Sequence, residues 1–204
     1  MKKIILAIET TTDICSVSLH KNKEVLDIKE NSLRKHSTLL APFTDEIFKN
    51  SKFNISSIDA IALSIGPGSY TGLRIGLSFA KGISFSLNKP IIPINTIESL
   101  NYDIDDFNYL VAIHAYKDYF FVQKYKEGKK NKLTTFETMD KIQNSNKNIY
   151  GYFPNHLDDA LVNIKPCSAK IAKVAYNNYD KYISYDIKSI KPNYIKPIDF
   201  KTNN

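Results

Sequence analysis

Residues 64–76 read SIGPGSYTGLRIG, which places four of the chain's seven glycines within thirteen positions. The stretch follows Ala60-Ile61-Ala62-Leu63-Ser64-Ile65, an apolar run of the kind that forms a strand covered on both faces. It leads into a helical pattern from about Thr71 to Leu87, which Asn88-Lys89-Pro90 stops. Strand, glycine turn and helix in that order confine the chain to a few α/β architectures. They also raise the question of whether the turn cradles a phosphate. A Walker A loop needs Lys after its last glycine, to meet the β- and γ-phosphates; here Leu73 follows Gly72, and the next lysine is Lys81. The dinucleotide fingerprint GxGxxG fails too, because Gly72 comes one residue late after Gly66-Pro67-Gly68. No acid stands about 20 positions further on, where Ile91 and Ile92 are found. The accompanying Lys and HRD elements of a protein kinase are also missing.

The helix offers a different use for the glycines. Gly72, Gly76, Ala80 and Ser84 recur every four residues and draw a smooth stripe along one face, flanked by Leu73, Leu77 and Phe79. Such a stripe lets another backbone approach closely. A glycine inside a helix costs about 1 kcal/mol relative to alanine, so close packing must offset Gly76. Two partners fit the pattern: an element of the same domain, or the helix of a second protein.

Around this segment the pattern reads strand (Lys3 to Ile8), polar turn (Glu9-Thr10-Thr11-Thr12-Asp13), strand (Ile14 to His20) and a third strand through Val25 to Ile28. A helix follows from His36 to Lys49, with Pro42 early in it. After the glycine helix come a short strand at Ile91–Ile94 and a helix start at Thr96–Leu100. The acidic stretch NYDIDDFN at 101–108 marks a boundary. Beyond it, Tyr109–Ala115 and Tyr119–Tyr125 form a hairpin around Lys117-Asp118, residues 126–148 read as a polar segment, and a helix covers Ser168–Tyr179. Two α/β halves are expected: 1–103 with the loop and helix, and a smaller, trimmed 104–204 whose last segment returns to the first.

Composition narrows the function classes. Apolar residues make 43% and charged residues 24% of 204 positions, ordinary for a globular chain. Cys15 and Cys167 have no metal-ligand spacing and form no disulfide framework, which fits a cytoplasmic setting. No signal peptide is expected from Met1-Lys2-Lys3 and the five-residue run Ile4–Ile8, and no stretch approaches the ~20 apolar residues of a membrane span. The net charge of +7 permits contact with nucleic acid, Lys129, Lys130 and Lys132 forming the densest knot. His20, His36, His114 and His156 are scattered singly, as surface or structural histidines are.

GPGSYTGLRIG between an apolar strand and a small-residue helix resembles the signature of the TsaB (YeaZ) family of tRNA threonylcarbamoyladenosine biosynthesis. Ile4 to Thr10 is similar to that family's opening ILAIDTS with Glu9 for Asp, His36-Ser37-Thr38-Leu39-Leu40-Ala41-Pro42 to its HS-x-x-LLP helix, and Pro192-Asn193-Tyr194-Ile195-Lys196 to its closing PxYLR. The resemblance runs from end to end, weakest over 126–165. It implies an actin-like (sugar kinase/Hsp70-type, ASKHA) α/β fold of two similar halves. In that fold the first hairpin turn carries Asp-x-Gly-Thr; here no glycine stands in Glu9-Thr10-Thr11-Thr12, so nucleotide binding is expected to be degraded. The catalytic relatives, TsaD, carry VNHxxGH with two metal-binding histidines, where this chain has Asn95 followed by Thr96 and Leu100, neither an imidazole. His114-Ala115-Tyr116-Lys117-Asp118-Tyr119-Phe120 departs from the family's DARRxEVY.

The resemblance therefore implies a non-catalytic scaffold subunit. It would dimerise with a TsaD-type catalytic subunit and work with a TsaE-type ATPase. The complex supports threonylcarbamoyl transfer to the adenosine 3′ of the anticodon in ANN-decoding tRNAs, with tRNA contact through the complex. ATP and metal would belong to the partners, with no cofactor, metal or catalytic residue of this chain's own. The expected partner interface is Gly72, Leu73, Gly76, Phe79, Ala80 and Ile83 on the glycine helix, which would serve a homodimer when the chain is alone. Gly66, Pro67, Gly68, Ser69, Tyr70 and Thr71 are the loop that launches that helix. Two rivals remain. A peptidase-like hydrolase lacks HExxH, GxSxG and a supported Cys–His pair. An actin-like small-molecule kinase would require the isolated chain to bind ATP.

Overall fold

The first three strands follow one another as an antiparallel meander. β1 (Ile4–Glu9) pairs with β2 (Cys15–Lys21), and β2 with β3 (Glu24–Asn31), Ile8 standing opposite Val17 and Leu6 opposite Leu19. The β-branched and aliphatic residues of these runs are what a half-buried pleated surface favours. The chain then leaves the sheet as α1 (His36–Asn50), which continues through Pro42. It returns as β4 (Ala60–Ser64), parallel to β1, leaves again as α2 (Tyr70–Leu87) and returns as β5 (Ile91–Ile94), parallel to β4. The resulting order is β3-β2-β1-β4-β5. These coordinates are a computed structural model, which describes residues 3–154 and 161–195; His156 and Lys196 lie outside the described residues.

After α3 (Thr96–Asn101) the same plan repeats. β6 (Asn108–Tyr116), β7 (Tyr119–Lys126) and β8 (Lys129–Thr138) form a second antiparallel meander. α4 (Met139–Gln143) leads to β9 (Asn148–Tyr152), parallel to β6, and β10 (Leu161–Asn163) runs parallel to β9. The order β10-β9-β6-β7-β8 is the first sheet's order with the same strand senses. β8 and α4 occupy the stretch expected to be a polar segment. Lys129–Leu133 at the start of β8 are exposed, so no alternation of apolar and polar residues marks a strand there.

Both sheets are covered on both faces, and the covering helices cross between halves. On the first sheet, Leu6 and Ile8 share a core with Leu40 and Ile47 of α1 and Ala80 of α2. On its other face, Ile5 and Ala7 pack against Ile171, Ala172, Val174 and Ala175 of α5 (Ser168–Asn177). Alternate residues of β1 thus serve two cores, as the period of a strand requires. On the second sheet, Leu110, Phe120 and Val122 meet Met139 and Ile142 of α4, while Tyr109, Val111 and Tyr125 meet Ile97 and Leu100 of α3. α5 is anchored at its start, where Ser168 N donates to Ser16 Oγ (3.1 Å) and the two hydroxyls lie 2.8 Å apart. A short helix α6 (Tyr179–Tyr182) follows; Ser184 then bridges to Ile91, and Asn193 N donates to Ile65 O (2.7 Å) beside the glycine loop.

Candidate functional site

The loop after β4 is built against the turn between β1 and β2. Gly66 has φ of +107°, a backbone conformation that favours glycine, and the peptide bond to Pro67 is cis. A Cβ on Gly68 would lie 2.3 Å from the Thr11 carbonyl oxygen, so only glycine admits that approach. The Ser69 amide donates to the same carbonyl (2.6 Å), while Ser69 Oγ caps α2 by accepting from Gly72 N (3.2 Å).

The small-residue stripe continues this inward contact. A Cβ on Gly72 would stand 2.0 Å from Thr10 O, and one on Gly76 would stand 2.3 Å from Thr10 Oγ1. Thr10 Oγ1 donates to Gly72 O (2.9 Å), tying the end of β1 to the helix. Gly72, Leu73, Gly76, Ala80 and Ser84 are all buried. The expectation that Gly72, Leu73, Gly76 and Ala80 face a partner is therefore corrected: in this chain they face its own first sheet, because Thr10 fills the groove the glycines leave. Of the residues expected at an interface, Phe79 and Ile83 remain half-exposed.

Those two open onto a groove of about 500 Å³ between α1 and α2, whose wall is Ala41, Phe48, Phe53, Phe79 and Ile83. Beside it, α2 turns a second ridge to solvent, where Thr71, Arg74, Ser78, Gly82 and Phe85 are exposed. Phe85 is 82% exposed, and a Cβ on Gly82 would meet nothing within 4 Å. Exposed apolar side chains on one helix are the kind of surface that association uses. Phe79 and Ile83 are among the residues expected at an interface; Phe85 is not, because it lies off the stripe that the glycines and Ala80 mark on the same helix.

A larger cleft of about 1010 Å³ lies between the halves, lined by the Thr11–Asp13 turn, the start of α2, the β6–β7 turn and Tyr194. The hydroxyls of the first turn are already engaged there. Thr10 Oγ1 binds Gly72 O, Thr11 Oγ1 donates to Glu9 Oε1 (2.5 Å), and Thr12 Oγ1 accepts from Ile14 N (3.2 Å). Glu9 is wholly buried, and burial pushes its carboxyl above the usual carboxylate range against the opposing pull of Thr11. His36 donates from Nε2 to Thr12 O (3.0 Å), which leaves Nδ1 as the acceptor, buried and without a partner among the described residues. Burial lowers the pKa of this imidazole. On the far wall of the cleft, Arg74 stacks on Tyr70 (3.8 Å to the ring centroid) and donates from Nε to Tyr194 OH (3.1 Å), pinning the Pro192–Ile195 segment to α2. Asn95 caps α3 through its side chain, and Thr96 and Leu100 are fully buried within the core. Among the described residues, no group of three or more His, Cys, Asp and Glu side chains could hold a metal ion, and no helix is long and apolar enough to cross a membrane.

Two halves with identical five-stranded sheets and a cleft between them define an actin-like fold of the sugar kinase/Hsp70 type. Solved structures agree: YeaZ from Pseudomonas aeruginosa superposes with a TM-score of 0.74 at 20% identity, covering 94% of this chain and all of that one. The family model described as TsaD, tRNA N6-adenosine threonylcarbamoyltransferase, matches residues 27–186. The chain belongs to this family, in its TsaB (YeaZ) branch. The tRNA threonylcarbamoyladenosine biosynthesis protein TsaB of Buchnera aphidicola subsp. Acyrthosiphon pisum is 35% identical over 133 residues, which cover 63% of this chain and 60% of that protein. The protein of the same name from Escherichia coli is 35% identical over 96 residues, covering 47% and 42%. The chain thus spans about half the length of the curated relatives it matches.

Proposed function

We propose that this chain is a non-catalytic subunit in tRNA threonylcarbamoyladenosine biosynthesis, which pairs through its α1–α2 face with a TsaD-type catalytic subunit. The complex, served by a TsaE-type ATPase, transfers the threonylcarbamoyl group to the adenosine 3′ of the anticodon in tRNAs reading ANN codons. The observation that carries the pairing is the apolar surface α2 leaves open, Phe79 and Ile83 in the groove with α1 and Phe85 on the outer ridge of the same helix. The names of the relatives support the pathway, and Thr96 and Leu100 standing in place of a histidine pair support a non-catalytic role. The engaged hydroxyls of the Thr10–Thr12 turn support the reading that ATP and metal belong to the partners. Without a catalytic partner the same face serves a homodimer.

The test uses residues on the outer ridge, because bulk at Gly76 would strike Thr10 and disturb the fold itself. Phe85→Asp removes an exposed aromatic anchor, and such truncations cost about 2 kcal/mol or more at the centre of an interface, roughly 30-fold in Kd. Size exclusion of the variant with the catalytic subunit should show the loss of the complex, and threonylcarbamoyl transfer should fall with it. Unchanged association of both Phe85→Asp and Gly82→Trp would refute the pairing surface.

A further inference from the structure

The lysines of the second sheet are segregated. From Gln123 to Lys147 there are seven lysines against three carboxylates. The register brings several of them together. Asn108 of β6 stands opposite Lys126 of β7, and Lys126 opposite Lys129 of β8. Residues directly opposite in an antiparallel pair project from the same face, on strands about 5 Å apart. Lys147 adds a third ammonium to this row by donating to Asn108 Oδ1 (2.6 Å). Two residues along β7, Lys124 leaves the same face, and its ammonium shares the Glu137 carboxylate with Lys141 at 3.9 and 3.5 Å. Glu127 in the β7–β8 turn, Asp140 on α4 and the Asp105-Asp106 pair before β6 are the other local acids; Asp106 is engaged by Asn148 (2.7 Å) and Tyr150 (2.9 Å), and none of the four forms a salt bridge among the described residues.

Like charges directly opposite across a strand pair destabilise a sheet. Lysines on an edge strand are a common guard against edge-to-edge pairing, and this accounts for Lys130 and Lys132 on β8. It does not account for Lys124 and Lys126, which lie on β7 inside the sheet, or for Lys147 before β9. The opposite face of the same strands is closed by Tyr109, Tyr125 and Tyr150 with Ile97 and Leu100, and the lysine row emerges at the end of the face that α4 covers further along, Lys130 alone of β7 and β8's paired lysines standing opposite Tyr125 on the other side. The row Asn108, Lys124, Lys126, Lys129, Lys141 and Lys147 is polar throughout, with the exposed Phe107 and Leu133 at its margins, whereas protein interfaces have an apolar centre and a polar rim. A row of flexible cations without such a centre matches a chain of phosphates, where charge alone supplies affinity.

We propose that this lysine face of the second sheet is a sequence-independent contact for the phosphate backbone of an RNA. The inference deepens the proposed function by giving this chain its own RNA contact, and it rests on that reading for the choice of RNA. The probe is a fluorescent, unmodified transcript of an ANN-reading tRNA, titrated with the full chain in fluorescence polarisation. With about five phosphate contacts, affinity should fall roughly a hundredfold between about 50 and about 200 mM KCl. Lys126→Gln with Lys129→Gln should flatten the log–log salt slope by about 2 and weaken binding about tenfold. The same variant should keep or raise Tm, because it removes a like-charged pair. The charge-matched variant Lys52→Gln with Lys188→Gln should keep the wild-type slope.

Failure of the transcript to bind at low salt would overturn the proposal. So would a slope unaltered in Lys126→Gln with Lys129→Gln, or tighter and equally variant-sensitive binding of labelled poly-glutamate, which would assign the face to an acidic polypeptide. Pairing with the catalytic subunit is read separately by size exclusion. Lost pairing in Phe85→Asp with an intact RNA slope counts for this inference whatever the fate of the pairing reading.

Discussion

Replacing Gly76 by alanine tests the inward placement of the small-residue stripe most directly, with Gly82 of the same helix as its control. Both glycines are interior to α2, so alanine at either should gain about 1 kcal/mol of helix propensity. At Gly82 the new methyl meets nothing within 4 Å, and that gain should appear undiminished. At Gly76 the methyl would sit 2.3 Å from Thr10 Oγ1, a separation that forces Thr10 to rotate or the helix to lift. Either movement breaks the bond from Thr10 Oγ1 to Gly72 O and leaves buried polar groups unpaired, about 1–3 kcal/mol, while overpacking adds a further 1–3 kcal/mol, roughly. Set against the propensity gain, Gly76→Ala should destabilise by about 1–4 kcal/mol. Thr10→Ala removes the obstructing oxygen; the alanine methyl would then face the Thr10 Cβ and Leu63 Cδ1 at 3.4 Å, ordinary contact. In that background Gly76→Ala should become neutral or stabilising, a coupling of about 2 kcal/mol or more, as expected of residues in contact. Urea unfolding of the four proteins of the cycle gives each ΔG. Equal stabilisation by Gly76→Ala and Gly82→Ala in the wild-type background would refute the packing of the stripe on β1.

Two further outcomes concern buried titratable groups. His20 is 1% exposed and lies 2.9 Å from Ser18 Oγ; burial, with a lesser contribution from Lys173, lowers its pKa to about 4. A folded pKa below the unfolded value near 6.5 means that stability present above pH 6.5 is lost as pH falls toward 4. The loss should reach about 2 kcal/mol by pH 5, and chemical denaturation across that window should show a His20→Gln variant free of the corresponding slope. Glu9 has the opposite sign: its raised folded pKa favours the protonated acid, so its contribution is full below the unfolded pKa of about 4.5 and declines as pH rises through the folded value. Glu9→Gln should therefore match or exceed the wild type at pH 7; a clear loss of stability there would show that the carboxylate, not the acid, is the native form.

The order of elements was legible because it rests on local chemistry. The β-branched runs at Ile4–Ile8 and Ile61–Leu63, the glycine turn before α2 and the proline after Asn88-Lys89 each act within a few residues. The folded chain places strands and helices where those signals stand. The second half was harder to read. β8 exposes Lys129–Leu133 to solvent, and a strand at a sheet edge has no need to alternate. The crossing of α3 and α5 between halves was equally silent, because their apolar faces fit a sheet of either half and sequence alone does not say which.

The stripe of small residues shows where this kind of reading stops. Spacing every four residues establishes that one face of α2 is smooth, and smoothness implies a close neighbour, but the neighbour's identity depends on a residue remote in sequence. Here it is Thr10, whose hydroxyl bonds to Gly72 across 62 positions and whose carbonyl lies against the same glycine. With that face closed, the exposed part of α2 is its opposite ridge and the side that opens on the α1–α2 groove. A helix of this kind divides its faces: glycines seat it on its own sheet, while Phe79, Ile83 and Phe85 keep the exposed apolar surface that the proposed pairing would use.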